Sequence, residues 1–256
     1  MSVQSTSLTR AVRHRAARLQ WGKLLIHATL IAGAFVMVIP FLWMLTLSLK
    51  PAALTHQPPY LIPTHFEVAN YDKAWQAAPF ARYYLNSMVM TAGIVLGQVL
   101  LSSLAAYAFA RLKFPGRDAL FLVFLATMMV PFHVILIPSY LIIDRLGWID
   151  SYAALIVPRM VSAFGIFLLR QYYQGIPREL DEAAMIDGAS RLGIWWRIIL
   201  PLSGPGLATL GIFAFMFAWN DFLWPLVVIN DPNMRTVQLG LAMFQGRYGT
   251  QWTLLM

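Results

Sequence analysis

The sequence contains no cysteine and few charged residues, and both shortages narrow what the protein can be. Without cysteine, disulfide scaffolds, thiolate metal sites and cysteine nucleophiles are excluded. Charged residues make up 12% of the 256 residues and apolar residues 59%, whereas a soluble domain carries about 25% charged and about 45–50% apolar residues. The composition therefore argues against a soluble enzyme, and the segments between apolar runs are too short to hold a catalytic domain.

Five long apolar runs predict membrane-spanning helices, because crossing a hydrocarbon core about 30 Å thick takes about 20 residues. Prolines lie within these runs, among them Pro40, Pro131, Pro138 and Pro225. We expect each to produce a kink, since neighbouring helices can satisfy the freed backbone groups. A short apolar run from about residue 251 is typical of the first turn of a sixth helix. The predicted fold is an all-α, polytopic transmembrane helix bundle. The five runs occupy residues 24–49, 85–110, 119–143, 152–172 and 205–229.

The basic residues that give the chain its net charge of +8 concentrate on one side of these predicted spans. They precede the first run, and they lie between the second and third and between the fourth and fifth runs. Because cytoplasmic loops are enriched in lysine and arginine, we expect the N-terminus in the cytoplasm. Residues 1–23 then form a basic cytoplasmic arm, and residues 24–256 form the transmembrane domain. Topology explains the positive charge, so it gives no reason to expect nucleic-acid binding.

The loop at residues 175–201, between the fourth and fifth runs, has the signals of a short helix. Pro177 suits a first helical position, and acidic residues follow where they complement the helix dipole. Gly188 can end the helix in a left-handed conformation. The predicted helix presents small side chains, which let another backbone come close. By itself this pattern fits either an interfacial helix-turn-helix or a docking site for a partner.

The same loop resembles the EAA loop of the membrane subunits of ATP-binding cassette (ABC) importers. The matching elements stand at the family spacing. They are Glu182-Ala183-Ala184, Gly188, Ile198 and Leu200-Pro201. Further stretches resemble the carbohydrate-type, maltose-permease-like subunits. These are Asn86-Ser87 and residues 105–111, 146–151 and 219–226.

The resemblance implies the type I importer permease fold, with six spans in the family. We therefore expect five complete spans here and a truncated sixth, in a precursor that continues beyond Met256. It also implies a multi-pass subunit of a bacterial or archaeal plasma (inner) membrane that imports a carbohydrate, such as an oligosaccharide, disaccharide or polyol. The implied partners are a second, homologous permease subunit in a heterodimer, two cytoplasmic ABC ATPases, an extracytoplasmic solute-binding protein and the lipid bilayer.

In the family, the EAA helix docks into a cleft of the ATPase and carries nucleotide-driven closure to the spans. The resemblance therefore assigns ATPase coupling to one set of residues in this chain. They are Glu182, Ala183, Ala184, Asp187, Gly188, Leu200 and Pro201. The chain itself lacks a G-x-x-x-x-G-K-[ST] phosphate loop. We therefore expect no catalytic residues and no cofactor bound by this chain, and we place ATP and Mg in the partner ATPase.

Asn220 and Asp221 lie near the middle of the fifth apolar run, where burying a carboxylate costs on the order of 3 kcal/mol. Asp221 could face a translocation path, pair with Arg159, or lie nearer the outer surface. Trp219 could stack on a sugar or belong to an interfacial belt. These four residues are the candidates for a path or gate. No His-x-x-x-His or Glu-x-x-His pattern predicts a metal site.

Two other functional classes remain open from the residues alone. An ion-gradient-driven secondary transporter or channel predicts paired intramembrane acids or broken helices in repeated halves, and we identify neither clearly in the sequence. A membrane scaffold with no transport path is the second alternative. The EAA spacing argues against both.

Overall fold

A computed structural model describes residues 5–55, 66–246 and 249–256, and these residues are almost entirely helical. The chain is 77% helical, so the predicted all-α class is confirmed. Residues 1–4 of the predicted N-terminal arm, and the arm's basic side chains up to Arg18, lie outside the described part. The helices are α1 (Ser5–Ser48), α2 (Ala69–Ala77), α3 (Phe80–Arg111), α4 (Arg117–Thr127), α5 (Phe132–Arg145), α6 (Tyr152–Ile156), α7 (Ala163–Gln174), α8 (Glu179–Ile186), α9 (Arg191–Ile194), α10 (Leu200–Leu202), α11 (Gly204–Trp219), α12 (Leu223–Val228), α13 (Val237–Ala242) and α14 (Trp252–Leu255).

Short elements connect these helices. Two-residue strands β1 (Gln245–Gly246) and β2 (Gly249–Thr250) pair in antiparallel fashion. A π-helix at Trp195–Ile199 joins α9 to α10. The 3₁₀ turns are Ala52–Leu54, Val157–Arg159 and Pro232–Met234.

The chain forms two compact units, residues 1–75 with 244–256, and residues 76–243. In the first unit, α1 packs against α14 at its end. The Asn70 side chain donates hydrogen bonds to the backbone oxygens of Ser48 and Lys50, at 2.9 and 2.8 Å. Side chains of residues 21–45 are exposed along the whole apolar stretch of α1. Such a helix is stable where lipid or another protein surrounds it.

The second unit is organised around α3, which packs against α7 and α11 along its length. Its core includes two large apolar clusters. One contains Met90, Leu155 and Trp224, and the other surrounds Tyr107 and Tyr173. The second cluster includes residues of the loop at 175–201, so this loop is packed onto the bundle.

Span boundaries differ from the predicted ones. Within the described residues, Trp21–Ser48 of α1 and all of α3 are each long and apolar enough to cross a membrane. Three further segments reach that length only if a bent pair of helices counts as one span. These pairs are α4 with α5, bent by 98°, Tyr152–Arg159 with α7, bent by 42°, and Arg191–Leu202 with α11, bent by 81°. Up to five spans result, and the total of six stays a prediction.

The third and fifth apolar runs are broken rather than kinked. In the third run α4 ends at Thr127, and Pro131 precedes α5 in an extended conformation. Proline lacks the N–H of a helix interior and favours an extended residue before it. In the fifth run α11 ends at Trp219, and α12 begins only at Leu223. By contrast, Pro40 lies inside α1 without ending it.

Gly97 permits the close approach of α3 to the break that precedes α7. A Cβ atom added at Gly97 would lie 2.7 Å from Cγ and 2.8 Å from Cβ of Met160. Both distances are too short for non-bonded carbons, and the Met160 Cβ is fixed to its backbone. Small residues at helix contacts in membranes act in this way.

We predict that Gly97→Val lowers the stability of the detergent-solubilised chain by about 1–3 kcal/mol, because an added side chain overpacks this contact. The matched control is Gly211→Val in α11, where an added Cβ meets no atom within 4 Å. The unfolding midpoints of the two variants are measured by heating each protein and monitoring its circular dichroism. Equal unfolding midpoints for the two variants would contradict the close contact between Gly97 and Met160.

Candidate functional site

The helix α8 begins and ends through local chemistry that the sequence largely anticipates. It starts at Glu179, so Pro177 lies two residues before the helix and not at the first helical position predicted from the sequence. Three carboxylates occupy its first turn, as expected. It ends at Ile186, and Gly188 follows the C-cap with a φ of +81°. The N–H of Gly188 donates to Met185 O at 3.1 Å and that of Ala189 to Ala184 O at 2.9 Å. These two bonds form a Schellman motif, which favours glycine at this position.

Two neighbouring alanines of α8 face opposite ways. Ala184 is buried in the cluster around Tyr107 and Tyr173, so its small size permits close packing against the protein's own bundle. Ala183 is exposed, as are Glu182 and Asp187. The expectation that both alanines accommodate a partner is therefore corrected, since Ala183 alone of the two lies on the free surface. Ile186, three residues after Ala183, is 87% exposed.

A buried ion pair fixes the inner side of α8 to the end of α3. Arg111 Nε lies 3.6 Å from Asp181 Oδ2, and the two side chains are 2% and 8% exposed. Arg111 Nη2 also donates to Ile176 O at 2.7 Å. Sequence reasoning placed Asp181 among the carboxylates that complement the helix dipole and missed this pairing. The signal that could have revealed it is the arginine that ends the apolar stretch 105–111.

A chain of buried hydrogen bonds attaches the second half of the loop to two other helices. Trp195 Nε1 donates to Ser103 Oγ at 2.9 Å, and Ser103 Oγ lies 2.7 Å from Tyr173 Oη. Trp195 is buried in the core, whereas the adjacent Trp196 is 56% exposed. Of the two, Trp196 is therefore the one exposed enough to lie at a membrane interface.

The second helix of the loop continues through Leu200 and Pro201. The segment Arg191–Leu202 is continuous through its π-helical turn, and the 81° bend follows at Ser203. Leu200 packs against the same cluster as Ala184. The Ser203 hydroxyl donates to Ile199 O, which also accepts the N–H of Ser203 at 3.1 Å.

Asp221 lies in the break between α11 and α12 and not in the middle of a helix. Its Oδ2 is 3.2 Å from Arg159 Nη2, with side-chain exposures of 11% and 13%. Its Oδ1 accepts the N–H of Trp224 at 3.3 Å, at the start of α12. Of the three alternatives for Asp221, which were a translocation path, pairing with Arg159 and the outer surface, the structure contains the pairing with Arg159. The carboxylate thus balances a partly buried guanidinium and caps a helix.

Arg159 also borders a cavity of about 390 Å³ beside the break before α7. Its polar wall includes Gln98 and Ser162, and Gln98 Nε2 donates to Arg159 O at 2.9 Å. The remaining wall is aromatic and aliphatic. It comprises Pro158, Val161, Phe164, Leu210, Phe213, Ala214 and Phe217.

The other predicted path residues do not line this cavity. Asn220 is exposed, and its Nδ2 donates to Met216 O at 2.8 Å. Trp219 stacks on Phe215 with ring centroids 5.7 Å apart. Of the four candidates, all within the described residues, Arg159 is the one at the cavity wall.

Two polar residues within the family-like stretches hold segments of the bundle together. Asn86 accepts a hydrogen bond from Tyr152 Oη at 2.6 Å and donates to Asn233 O and Arg235 O. Asp150, with φ of +58°, accepts the N–H of Asp231 at 2.8 Å. Both are positioning residues, and the sequence alone did not indicate their partners.

Comparisons with known proteins place this architecture in a family. Residues 98–256 match the family described as "Binding-protein-dependent transport system inner membrane component". The chain belongs to this family. It is a non-catalytic membrane component of an ABC-type transport system, as the resemblance of its EAA loop implied.

Similar curated permeases cover most of the chain. The sn-glycerol-3-phosphate transport system permease protein UgpE of Yersinia enterocolitica is 36% identical over 239 residues, 90% of this chain and 85% of that protein. UgpE of Escherichia coli K12 is 36% identical over 245 residues, 92% of this chain and 87% of that protein.

A similar solved structure confirms the permease fold. It is a chain of a bacterial ABC transporter involved in the import of the acidic polysaccharide alginate. The two structures align with a TM-score of 0.81 and 23% sequence identity, and the alignment covers 90% of this chain and 88% of that chain. Neither the secondary transporter nor the scaffold alternative finds support in these comparisons.

We predict that Asp181→Leu destabilises the permease by about 3 kcal/mol, because it leaves the Arg111 guanidinium buried without a counter-charge. The matched control is Asp187→Leu on the exposed surface of the same loop, expected to change stability by less than about 0.5 kcal/mol. Denaturation in detergent gives both values. A double variant, Arg111→Met with Asp181→Leu, should regain much of the loss, and equal effects of the two single variants would refute the buried pair.

Proposed function

We propose that this chain is one of two non-identical permease subunits of an ATP-driven importer for a carbohydrate or polyol. The loop at residues 175–201 couples it to a cytoplasmic ATPase. Two such ATPases bind ATP and Mg, and an extracytoplasmic binding protein delivers the solute. The N-terminus is cytoplasmic, on the same side as the loop. Family membership and the relatives named for sn-glycerol-3-phosphate, a polyol derivative, support this proposal.

The observation that carries the coupling role is the two-sided construction of α8. Its inner side is fixed by Ala184 and by the buried pair of Asp181 with Arg111. Its outer side presents Ala183 and Ile186 to a partner, with the exposed Glu182 at the edge of that side. Force applied at the outer side therefore reaches α3 directly, because interiors are close-packed and transmit strain.

The second half of the loop provides an independent attachment. Through Trp195, Ser103 and Tyr173 it engages both α3 and α7. A displacement of the loop thus moves two helices of the bundle together. Alternating access needs this kind of concerted motion, because the solute path must close on one side as it opens on the other.

The cavity beside Arg159 is our candidate for the part of the path formed by this subunit. Its volume of about 390 Å³ lies within the range of small-molecule sites, which are mostly apolar with a few placed polar groups. The guanidinium of Arg159 and the amide of Gln98 can donate hydrogen bonds to hydroxyl groups. The phenylalanine rings can pack against the C–H faces of a sugar or polyol.

We predict that Gly188→Val and Ala183→Trp each abolish ATP-dependent uptake while membrane insertion stays normal. A β-branched residue resists the left-handed conformation of Gly188, and a tryptophan at Ala183 blocks close approach of a partner. Uptake is measured in vesicles reconstituted with the second permease, the ATPase and the binding protein, together with co-purification of the ATPase.

The matched control for the bulky change is Ala77→Trp, at an exposed position of α2, which should transport normally. Ala184→Trp is unsuitable because Ala184 is buried in the bundle and its replacement would disturb folding. Wild-type uptake by the Gly188 and Ala183 variants would refute the coupling role.

We predict that the double variant Arg159→Met with Asp221→Leu folds normally yet loses about tenfold in uptake rate. Replacing a buried ion pair by apolar residues is often neutral for stability, whereas a lost hydrogen bond from a charged donor to solute costs about 1.5–3 kcal/mol. The control is Arg145→Met with Asp144→Leu, at exposed positions of α5. If both double variants transport at the wild-type rate, the Arg159 pair is structural only.

A further inference from the structure

A cleft with an excess of positive charge lies between the inner side of α8 and the end of α3. Its volume is about 490 Å³. Four cationic residues line it, against two carboxylates, Asp181 and Glu182. The cations are Arg111, Lys113, Arg178 and Arg191. Lys113, Arg178 and Arg191 are exposed, so a ligand can reach them from outside.

The buried pair leaves the polar groups of this cleft incompletely satisfied. Arg111 Nε and Asp181 Oδ1 are buried and have no hydrogen-bond partner within the described residues. The Nε···Oδ2 distance of 3.6 Å exceeds that of a hydrogen bond. The Arg111 guanidinium, 2% exposed, lines the cleft with part of its donor capacity unused. Such a group favours an added acceptor, since unpaired buried donors are costly.

The position of the cleft selects the kind of anion. It lies where α3, a helix long and apolar enough to cross a membrane, reaches its last residue. Nearby in the loop, Leu192 and Trp196 are exposed, and tryptophan is enriched at membrane–water interfaces. Basic pockets between spanning helices at this level bind phosphate-bearing lipid headgroups.

We propose that this cleft binds a negatively charged phosphate group, supplied by an anionic lipid headgroup. Arginine side chains suit this ligand because their planar fork of donors matches phosphate oxygens. The site is separate from the outer side of α8, where Ala183 and Ile186 lie. A bound headgroup would tie α8 to the membrane surface. The inference depends on the membrane location of the family and is independent of ATPase coupling.

The test uses the purified full chain and native mass spectrometry with phosphatidylglycerol, phosphatidylcholine and inorganic phosphate as probes. We expect phosphatidylglycerol to be retained in preference to phosphatidylcholine. Arg178→Gln with Arg191→Gln should weaken its binding about thirtyfold, which equals about 2 kcal/mol, since each basic residue near a charged surface contributes about fivefold.

The matched control removes two exposed arginines outside the cleft, Arg145→Gln with Arg197→Gln, and should bind as the wild type does. Arg178→Lys with Arg191→Lys, which keeps the charge, should retain most of the binding. Displacement of the lipid by inorganic phosphate would support the phosphate site but assign it to a free phosphate.

Two results would overturn the proposal. One is equal retention of phosphatidylglycerol by the wild type and the Arg178 and Arg191 glutamine variant. The other is that this variant loses co-purification of the ATPase while its lipid binding is unchanged, which would make the cleft part of a protein interface.

Discussion

The demand that backbone polar groups be satisfied away from water governs this structure. In a bilayer that demand selects helices, because all their backbone bonds lie within one segment. Wherever the apolar runs break, side chains supply what the helix no longer can. Ser162 accepts the N–H of Gly165 before α7, and Asp221 accepts that of Trp224 before α12. The breaks are thus stable features that bring polar groups into an apolar bundle.

Buried polar pairs and small side chains also explain how a short loop can be held rigidly on the bundle. Small side chains let α8 approach closely, and buried polar pairs fix its register, with Asp181 on Arg111 and Trp195 on Ser103. Buried ion pairs add little net stability but are costly to break. They therefore resist partial detachment of the loop. A loop held in this way can move with the helices beneath it.

The proposed coupling and lipid sites occupy different sides of one eight-residue helix. The outer side carries Ala183 and Ile186, and the inner cleft carries Arg178 and Arg191 near the ion pair. The fold thus places the proposed partner surface and the proposed lipid cleft beside the end of α3.

The sequence by itself determined the helical membrane class, the loop and its turn at Gly188, because hydropathy, EAA spacing and a left-handed glycine are local signals. It also raised the pairing of Asp221 with Arg159 as one alternative. Only the tertiary structure decided that Ala184 faces its own bundle, that Trp195 is buried and that Asp181 pairs with Arg111. It also revealed where the apolar runs break. These outcomes depend on which distant helix lies opposite each residue, and composition and spacing along one segment do not encode that.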